Sequence, residues 1–213
     1  VFTITAVDTI TGSEANFTTL LADETAEQIS ITDQDLTVTG TISVTNANLL
    51  NDTTSGTITA DITTTERVSA LKTLEGTHAY TIVISEDDAI IGNAADLNTI
   101  DGATSVAVNA SEVTQLTGTV ADLKTAFAAG AAGTITGLNG AEAVILSDTE
   151  DASASDIHSL KNFLDDAAED AGVSASAINL TNVTSLAGSA MDLLSVFAAK
   201  TAGTVSNLSL IHI

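Results

Sequence analysis

Residues 109–138 read NASEVTQLTGTVADLKTAFAAGAAGTITGL, and residues 179–208 read NLTNVTSLAGSAMDLLSVFAAKTAGTVSNL. The two stretches align without a gap at an offset of 70 residues, so that Phe127 falls on Phe197. Self-similarity at a fixed offset is the sequence signature of repeat architectures. The chain is therefore interpreted first as a set of repeated units.

A shorter repeat precedes this one. Residues 71–76 (LKTLEG) align with residues 97–102 (LNTIDG) at an offset of 26 residues. The same order of strand, helix and turn recurs later in the chain with a longer helix. This difference indicates that the helix was lengthened by an insertion at residues 161–172. The repeat region thus covers residues 66–213, and residues 1–65 form a separate strand-rich segment that acts as an adapter, a cap or diverged coils.

Each unit is predicted to contain a strand, a short helix and a turn with glycine. The strand signal is alternation of apolar residues with period two. It occurs at Ile29/Ile31, Val38/Ile42/Val44, Ile58/Ile62, Ile82/Ile84, Val106/Val108, Val144/Leu146 and Ile178/Leu180. The helix signal is a capping hydroxyl before an apolar stripe. It places helix starts at Ser13, Thr119, Ser155 and Ser189.

These units predict a β-rich α/β repeat fold, arranged as an elongated β-solenoid-like stack of strand, short helix and turn. One unit of this size has no core of its own and buries its apolar face against its neighbours. The absence of proline fits such a stack, because proline removes a hydrogen-bond donor from a strand. The alternative is an ordinary α/β domain with parallel strands.

Composition excludes several classes of protein. The 213 residues carry a net charge of −23, with only five Lys and Arg, while 44% of residues are hydrophobic. The apolar content argues against disorder, and the scattered basic residues argue against binding to nucleic acid. No apolar run is long enough to span a bilayer. The absence of cysteine excludes disulfides and thiolate chemistry.

The sequence contains no recognisable catalytic constellation. The three histidines, His78, His158 and His212, stand in unrelated contexts and are predicted to be surface or turn residues. No metalloprotease spacing and no nucleophile elbow accompanies them. We therefore expect no enzymatic activity, no catalytic residue and no organic cofactor.

Three acidic turns are weak candidates for calcium binding, because carboxylate oxygens at flexible spacing are the ligands that calcium prefers. Their residues are Asp33, Asp35, Glu86, Asp87, Asp88, Asp148, Glu150 and Asp151. None of the turns matches a known calcium-loop pattern. Solvated acidic loops are the simpler interpretation of all three.

The end of the chain predicts self-association. Residues 206–213 (SNLSLIHI) begin another strand without a polar capping unit. An open apolar edge strand is a template for pairing with another chain. We expect either that the protein continues or that copies of it stack end to end or through edge strands.

Two segments resemble known tandem repeats. Residues 95–105 (ADLNTIDGATS) and residues 113–119 (VTQLTGT), followed by Ala121-Asp122-Leu123, are similar to repeats of very large, acidic, Thr/Ala-rich surface or secreted proteins of bacteria, especially marine cyanobacteria. They also resemble "ELNxLDG" repeats of phage tail fibres. The resemblance covers residues 66–208. It implies an extracellular or cell-surface location and a structural or adhesive role.

Three functions follow as hypotheses. The first is a non-enzymatic extracellular building block of a filament, surface layer or adhesin stalk, with other copies, the cell surface or glycans as partners. The second is a phage tail-fibre or host-recognition module. The third is a carbohydrate-active β-helix enzyme, which the six aromatic residues of the chain disfavour.

Overall fold

The computed structural model describes residues 2–3 and 7–208. Seven α-helices alternate with short strands in this part of the chain. The helices are α1 (Glu14–Thr25), α2 (Val44–Asn51), α3 (Val68–Leu71), α4 (Ala94–Gly102), α5 (Val120–Ala132), α6 (Ala154–Ala171) and α7 (Ala190–Thr201). The strands are β1 (Phe2–Thr3), β2 (Thr9–Ser13), β3 (Ile29–Ser30), β4 (Asp35–Ile42), β5 (Ile58–Ile62), β6 (Ala79–Thr81), β7 (Ile90–Ile91), β8 (Val108–Asn109), β9 (Gln115–Gly118), β10 (Ile135–Thr136), β11 (Ala143–Leu146), β12 (Ala152–Ser153), β13 (Ile178–Asn179), β14 (Leu186–Ala187) and β15 (Val205–Ser206).

The first of two compact units comprises residues 1–85 and 99–108. Its sheet has the order β2-β4-β5-β6, and every neighbouring pair is parallel. The inward residues of β5 are Ile58, Ala60 and Ile62, which are buried, while the residues between them are exposed. This alternation is the predicted period of two, so one face of the sheet packs into the core.

The second unit comprises residues 86–98 and 109–213. Its sheet has the order β15-β13-β11-β9-β7, again in chain order and parallel throughout. Helices α5, α6 and α7 follow one another, and α6 contacts both of the others. Leu123, Phe127, Leu160 and Leu164 are buried between these elements and form the centre of the unit's core.

Side-chain caps explain where the helices begin. Ser13, Thr119 and Ser189 each accept a hydrogen bond from the backbone N–H three residues later, which confirms the three predicted starts. Such a cap satisfies one of the N–H groups that a helix start leaves unpaired. Helix α6 is capped by Ser153, two residues before the predicted Ser155. It ends at the predicted Gly172, which adopts the left-handed conformation.

The prediction of an elongated β-solenoid-like stack is wrong. The structure is a mixed α/β arrangement in which the strands form several separate short parallel sheets that do not stack. The physical reason lies in the connections. Six of the described segments between strands fold as helices of eight to 18 residues, and five of these begin at a capping Ser or Thr, whereas most strands are only two to five residues long. Helices therefore cover the sheets where a solenoid would place further strands.

Several predicted strands are also shorter than the alternation suggested. Val44 begins α2, because Ser43 caps a helix at that point. Ile82 and Ile84 are buried but lie beyond the end of β6 at Thr81. Apolar alternation indicates burial of these side chains correctly, but it does not require that the backbone continue to pair with a neighbour.

The two copies of the 70-residue repeat provide a matched test of packing. Leu123 in α5 is fully buried, whereas its counterpart Leu193 in α7 is half-buried. We expect Leu123→Ala to lower the free energy of unfolding by about 2 to 5 kcal/mol, because it leaves a cavity. Leu193→Ala should cost only about 1 to 2 kcal/mol, because less apolar area is lost from the interior. Urea denaturation measures both; equal losses would contradict the difference in packing.

Candidate functional site

The first acidic turn lies in the first unit and has structural partners. The Asp33 carboxylate accepts a hydrogen bond from the Gln34 side-chain amide at 2.7 Å. The Asp35 carboxylate accepts one from the Thr57 N–H, also at 2.7 Å, and thereby joins β4 to the segment before β5. Both residues are exposed. The Asp35 carboxylate thus stabilises the backbone around β5, and the Asp33 carboxylate pairs with a neighbouring side chain.

The other two acidic turns lie in the second unit. Glu86, Asp87 and Asp88 form one turn of 3-10 helix on the surface. Asp148 accepts a hydrogen bond from the Val120 N–H at the start of α5, at 2.8 Å. Asp151 adopts a left-handed conformation and contacts the Ser185 hydroxyl. Glu150 beside it is exposed.

Within residues 2–3 and 7–208, no three His, Asp or Glu side chains form a group that could hold a metal ion. Calcium binding at the eight acidic residues therefore stays a prediction from the sequence. The structure adds a competing role for two of them. Asp35 and Asp148 each accept a backbone N–H that a neighbouring segment would otherwise leave unpaired.

The sequence predicted that His78 is a surface or turn residue. In the structure it is instead part of a buried polar cluster in the first unit. Its side chain lies in the core, and its Nδ1 accepts a hydrogen bond from the Ile58 N–H at 3.2 Å. Its Nε2 lies 3.0 Å from the Asn51 side-chain oxygen and is thereby assigned the proton. Burial lowers the pKa of the His78 imidazole. His158 is exposed on α6, and His212 lies outside the described residues.

Tyr80 and Thr104 complete this cluster. The ring of Tyr80 meets His78 edge to face, with 5.4 Å between the ring centroids. The Thr104 hydroxyl donates to the Tyr80 carbonyl and accepts from the Tyr80 N–H. The Tyr80 hydroxyl is buried without a hydrogen-bond partner in the described structure, and its burial raises the pKa of the phenol. The cluster thus ties β6, at the edge of the sheet, to β5 and to the segment around Thr104.

The most exposed apolar surface of the second unit lies on α7. Met191 is 76% exposed and Leu194 is 64% exposed, and their spacing of three residues places them on one face of the helix. Leu193 and Phe197 beside them are half-buried. We call these four residues the α7 surface. A contiguous apolar patch of this kind is typical of a protein interaction site.

The earlier repeat shows what covers such residues inside the chain. In α5 the counterparts of Leu193 and Phe197 are Leu123 and Phe127, which are 0% and 2% exposed. The counterpart of Leu194 is Lys124, which pairs with Asp156 of the next helix at 2.8 Å. Lys124 of α5 thus faces the following helix α6, whereas Leu194 at the same position of α7 is apolar and exposed.

Strands β2 and β15 each lie at one edge of their sheet in the described structure, and β6 and β7 lie at the opposite edges. Strand β15 is the last strand of its sheet, and the Thr204 and Ser206 carbonyls accept hydrogen bonds from β13. Strand β2 is the first strand of the other sheet, and the Asp8 carbonyl accepts from the Asp35 N–H. Alternate residues of a parallel strand point their polar groups to opposite sides. The Thr11 N–H in β2 therefore points away from β4.

The sequence predicted the edge strand near residue 206 but did not predict the α7 surface. The strand that it predicted from residue 206 onward begins at Val205, and residues 209–213 lie outside the described residues. The α7 surface was missed because its residues look like core positions of the repeat. The signal was nevertheless present, since Leu194 replaces the charged Lys124 at the repeated position.

Comparison of the chain with protein-family models, with curated proteins and with solved structures finds no match. Among the described residues, no helix combines the length and the apolarity that crossing a membrane requires. The function of this chain is therefore inferred from its own surfaces.

The buried imidazole of His78 predicts a pH-dependent stability. Because its pKa is lowered in the folded state, the unfolded chain binds a proton that the folded chain does not as the pH falls below about 6.5. We expect the free energy of unfolding to be constant above about pH 7, to decrease as the pH falls from about 6.5 to the folded pKa, and to level off below it.

Urea denaturation at a series of pH values measures this dependence, and His78→Gln should flatten it in the window just below pH 6.5. His158→Gln is the matched control, because it changes a histidine on the exposed face of α6. A pH profile that His78→Gln leaves unchanged would contradict the role assigned to the buried ring.

Proposed function

We propose that this chain is a non-enzymatic structural protein that assembles with copies of itself into an extracellular filament or surface layer. The observation that carries the proposal is the α7 surface, where Leu193 and Phe197 lack the cover that their counterparts receive in α5. Met191 and Leu194 add exposed apolar area beside them. Burial of exposed apolar area is the main driving force of protein association.

A second copy is the occupant that best fits this surface. Inside the chain, helices of this repeat already pack on one another, since α6 contacts both α5 and α7. A further helix of the same kind on α7 would repeat that packing. The surface carries no charged side chain among its four residues, so a second acidic chain would meet little direct repulsion there.

The strand order supports a head-to-tail arrangement. Both sheets are parallel and run in chain order, with β2 as the first strand of one and β15 as the last strand of the other. Pairing of β15 in one copy with β2 in the next would continue both the order and the direction of the strands. A contact between two different surfaces that does not close into a ring gives an open assembly.

The extracellular location rests on charge and on the resemblance to bacterial surface proteins. A net charge of −23 on 213 residues keeps separate copies soluble and is screened in saline surroundings. The cell surface and glycans remain further proposed partners of such an assembly.

Two variants that each block one surface test the proposal. The first carries Met191→Glu and Leu194→Glu, which place charges on the α7 surface. The second carries Thr11→Pro, which removes the outward N–H of β2 without removing a hydrogen bond to β4. Each variant alone should be monomeric in sedimentation velocity, because each lacks one of the two surfaces. An equimolar mixture should form a dimer with one copy of each and nothing larger.

The controls separate the possible failures. Val173→Glu changes another exposed apolar residue and should assemble like the unaltered protein. An unaltered protein that stays monomeric at all concentrations and salt levels contradicts self-assembly. A Thr11→Pro variant that still self-associates contradicts the head-to-tail arrangement and indicates contact between two identical surfaces.

Salt should strengthen the assembly. Repulsion between copies of charge −23 opposes association, and raising the salt from about 0.1 to 1 M shortens the screening length from about 10 to 3 Å. The mass-averaged sedimentation coefficient of the unaltered protein should therefore rise with NaCl. The Met191→Glu/Leu194→Glu variant should remain monomeric throughout. Dissociation on adding salt would indicate an interface held by ion pairs, contrary to an apolar one.

A further inference from the structure

The turn before β11 contains Asn139-Gly140, the only Asn-Gly sequence in the chain. An asparagine followed by glycine is the pair of residues most prone to form a succinimide, because glycine has no side chain to hinder attack by its backbone nitrogen. The outcome in a folded protein depends on whether that nitrogen is free to reach the asparagine side chain.

A buried carboxylate holds this nitrogen. Glu142 is only 4% exposed, and its two oxygens accept hydrogen bonds from the Asn139 N–H at 2.8 Å and the Gly140 N–H at 2.9 Å. Hydrogen bonds to a charged acceptor are the stronger kind. The Asn139 side-chain oxygen in turn accepts from the Ala141 N–H at 3.0 Å. We call residues 139–142 the Glu142 turn.

The surroundings of the Glu142 turn hold its other polar groups. Ser176, which follows α6, donates its N–H to the Gly140 carbonyl at 2.8 Å and its hydroxyl to the Ala141 carbonyl at 2.7 Å. Gly140 adopts a φ of +81° and packs so closely on α6 that a Cβ atom there would collide with the Leu164 carbonyl oxygen. The turn is therefore fixed on both sides of the Asn139–Gly140 peptide bond.

We propose that Asn139 is a latent deamidation site that Glu142 keeps closed. In the reaction, the Gly140 nitrogen attacks the Asn139 side-chain carbonyl carbon. A new C–N bond forms, the bond to the side-chain nitrogen breaks, and that nitrogen leaves as ammonia with the proton of the Gly140 N–H. Water then opens the succinimide to aspartate or isoaspartate at position 139. Glu142 opposes the first step, because it binds the N–H that must be lost.

Deamidation of Asn139 would be irreversible and would destabilise the Glu142 turn. The product carries a new carboxylate at position 139, three residues from the buried carboxylate of Glu142, and like charges within one turn repel each other. Isoaspartate also lengthens the backbone by one carbon within a turn that packs against α6. Deamidation at this position would therefore disturb the packing of the Glu142 turn against α6.

The test compares rates of deamidation at position 139. Folded protein, and a synthetic peptide of residues 134–147, are incubated in mildly alkaline buffer and analysed by peptide mapping with mass spectrometry, which separates aspartate from isoaspartate. We expect the folded protein to react at least about tenfold more slowly than the peptide, because reaction requires local opening. Glu142→Ala should raise the rate in the folded protein by about tenfold or more.

Asp148→Ala is the matched control, since it also removes a carboxylate that accepts a backbone N–H in this unit. Its rate at position 139 should match that of the unaltered protein. Glu142→Gln, which keeps one acceptor oxygen, serves if Glu142→Ala does not fold, and it should give a smaller increase. The proposal is overturned if the folded protein reacts as fast as the peptide, or if neither Glu142 variant reacts faster than Asp148→Ala.

Discussion

Two parallel strands cannot be joined by a tight turn, and this constraint shapes the whole chain. Each strand must be followed by a crossover that returns the chain to the same end of the sheet. Here most crossovers are helices that begin at a capping Ser or Thr directly after a strand, as at Ser43, Thr119 and Ser153. The caps therefore decide where pairing stops and how the next strand is reached.

The large acidic charge takes part in the same design. Glu14 of α1 accepts hydrogen bonds from the Asn46 side chain and from Ser43, and these bonds lower the pKa of the Glu14 carboxyl. Glu66 and Asp148 accept the first N–H groups of α2 and α5. Carboxylates at helix starts are favoured by the helix dipole. Part of the charge of −23 thus stabilises helix ends.

The repeat explains both the core and the interaction surface. A sequence pattern that buries Leu123 and Phe127 inside the chain leaves Leu193 and Phe197 half-exposed where no further helix covers them in the described structure. Two buried polar side chains, Glu142 and His78, are satisfied by hydrogen bonds from the backbone. Each accepts a backbone N–H in the interior, and each site is therefore sensitive to the loss of that partner.

The sequence by itself determined the local elements of this protein. Capping residues and apolar spacing predicted the starts at Ser13, Thr119 and Ser189 and the end of α6 at Gly172, because these signals act within a few residues. It did not determine how the elements combine. The solenoid-like stack was wrong because helices took the place of further strands, and the burial of His78 and Glu142 depends on segments distant in the chain. Only tertiary packing decides which apolar positions are covered, since similar repeats meet different neighbours.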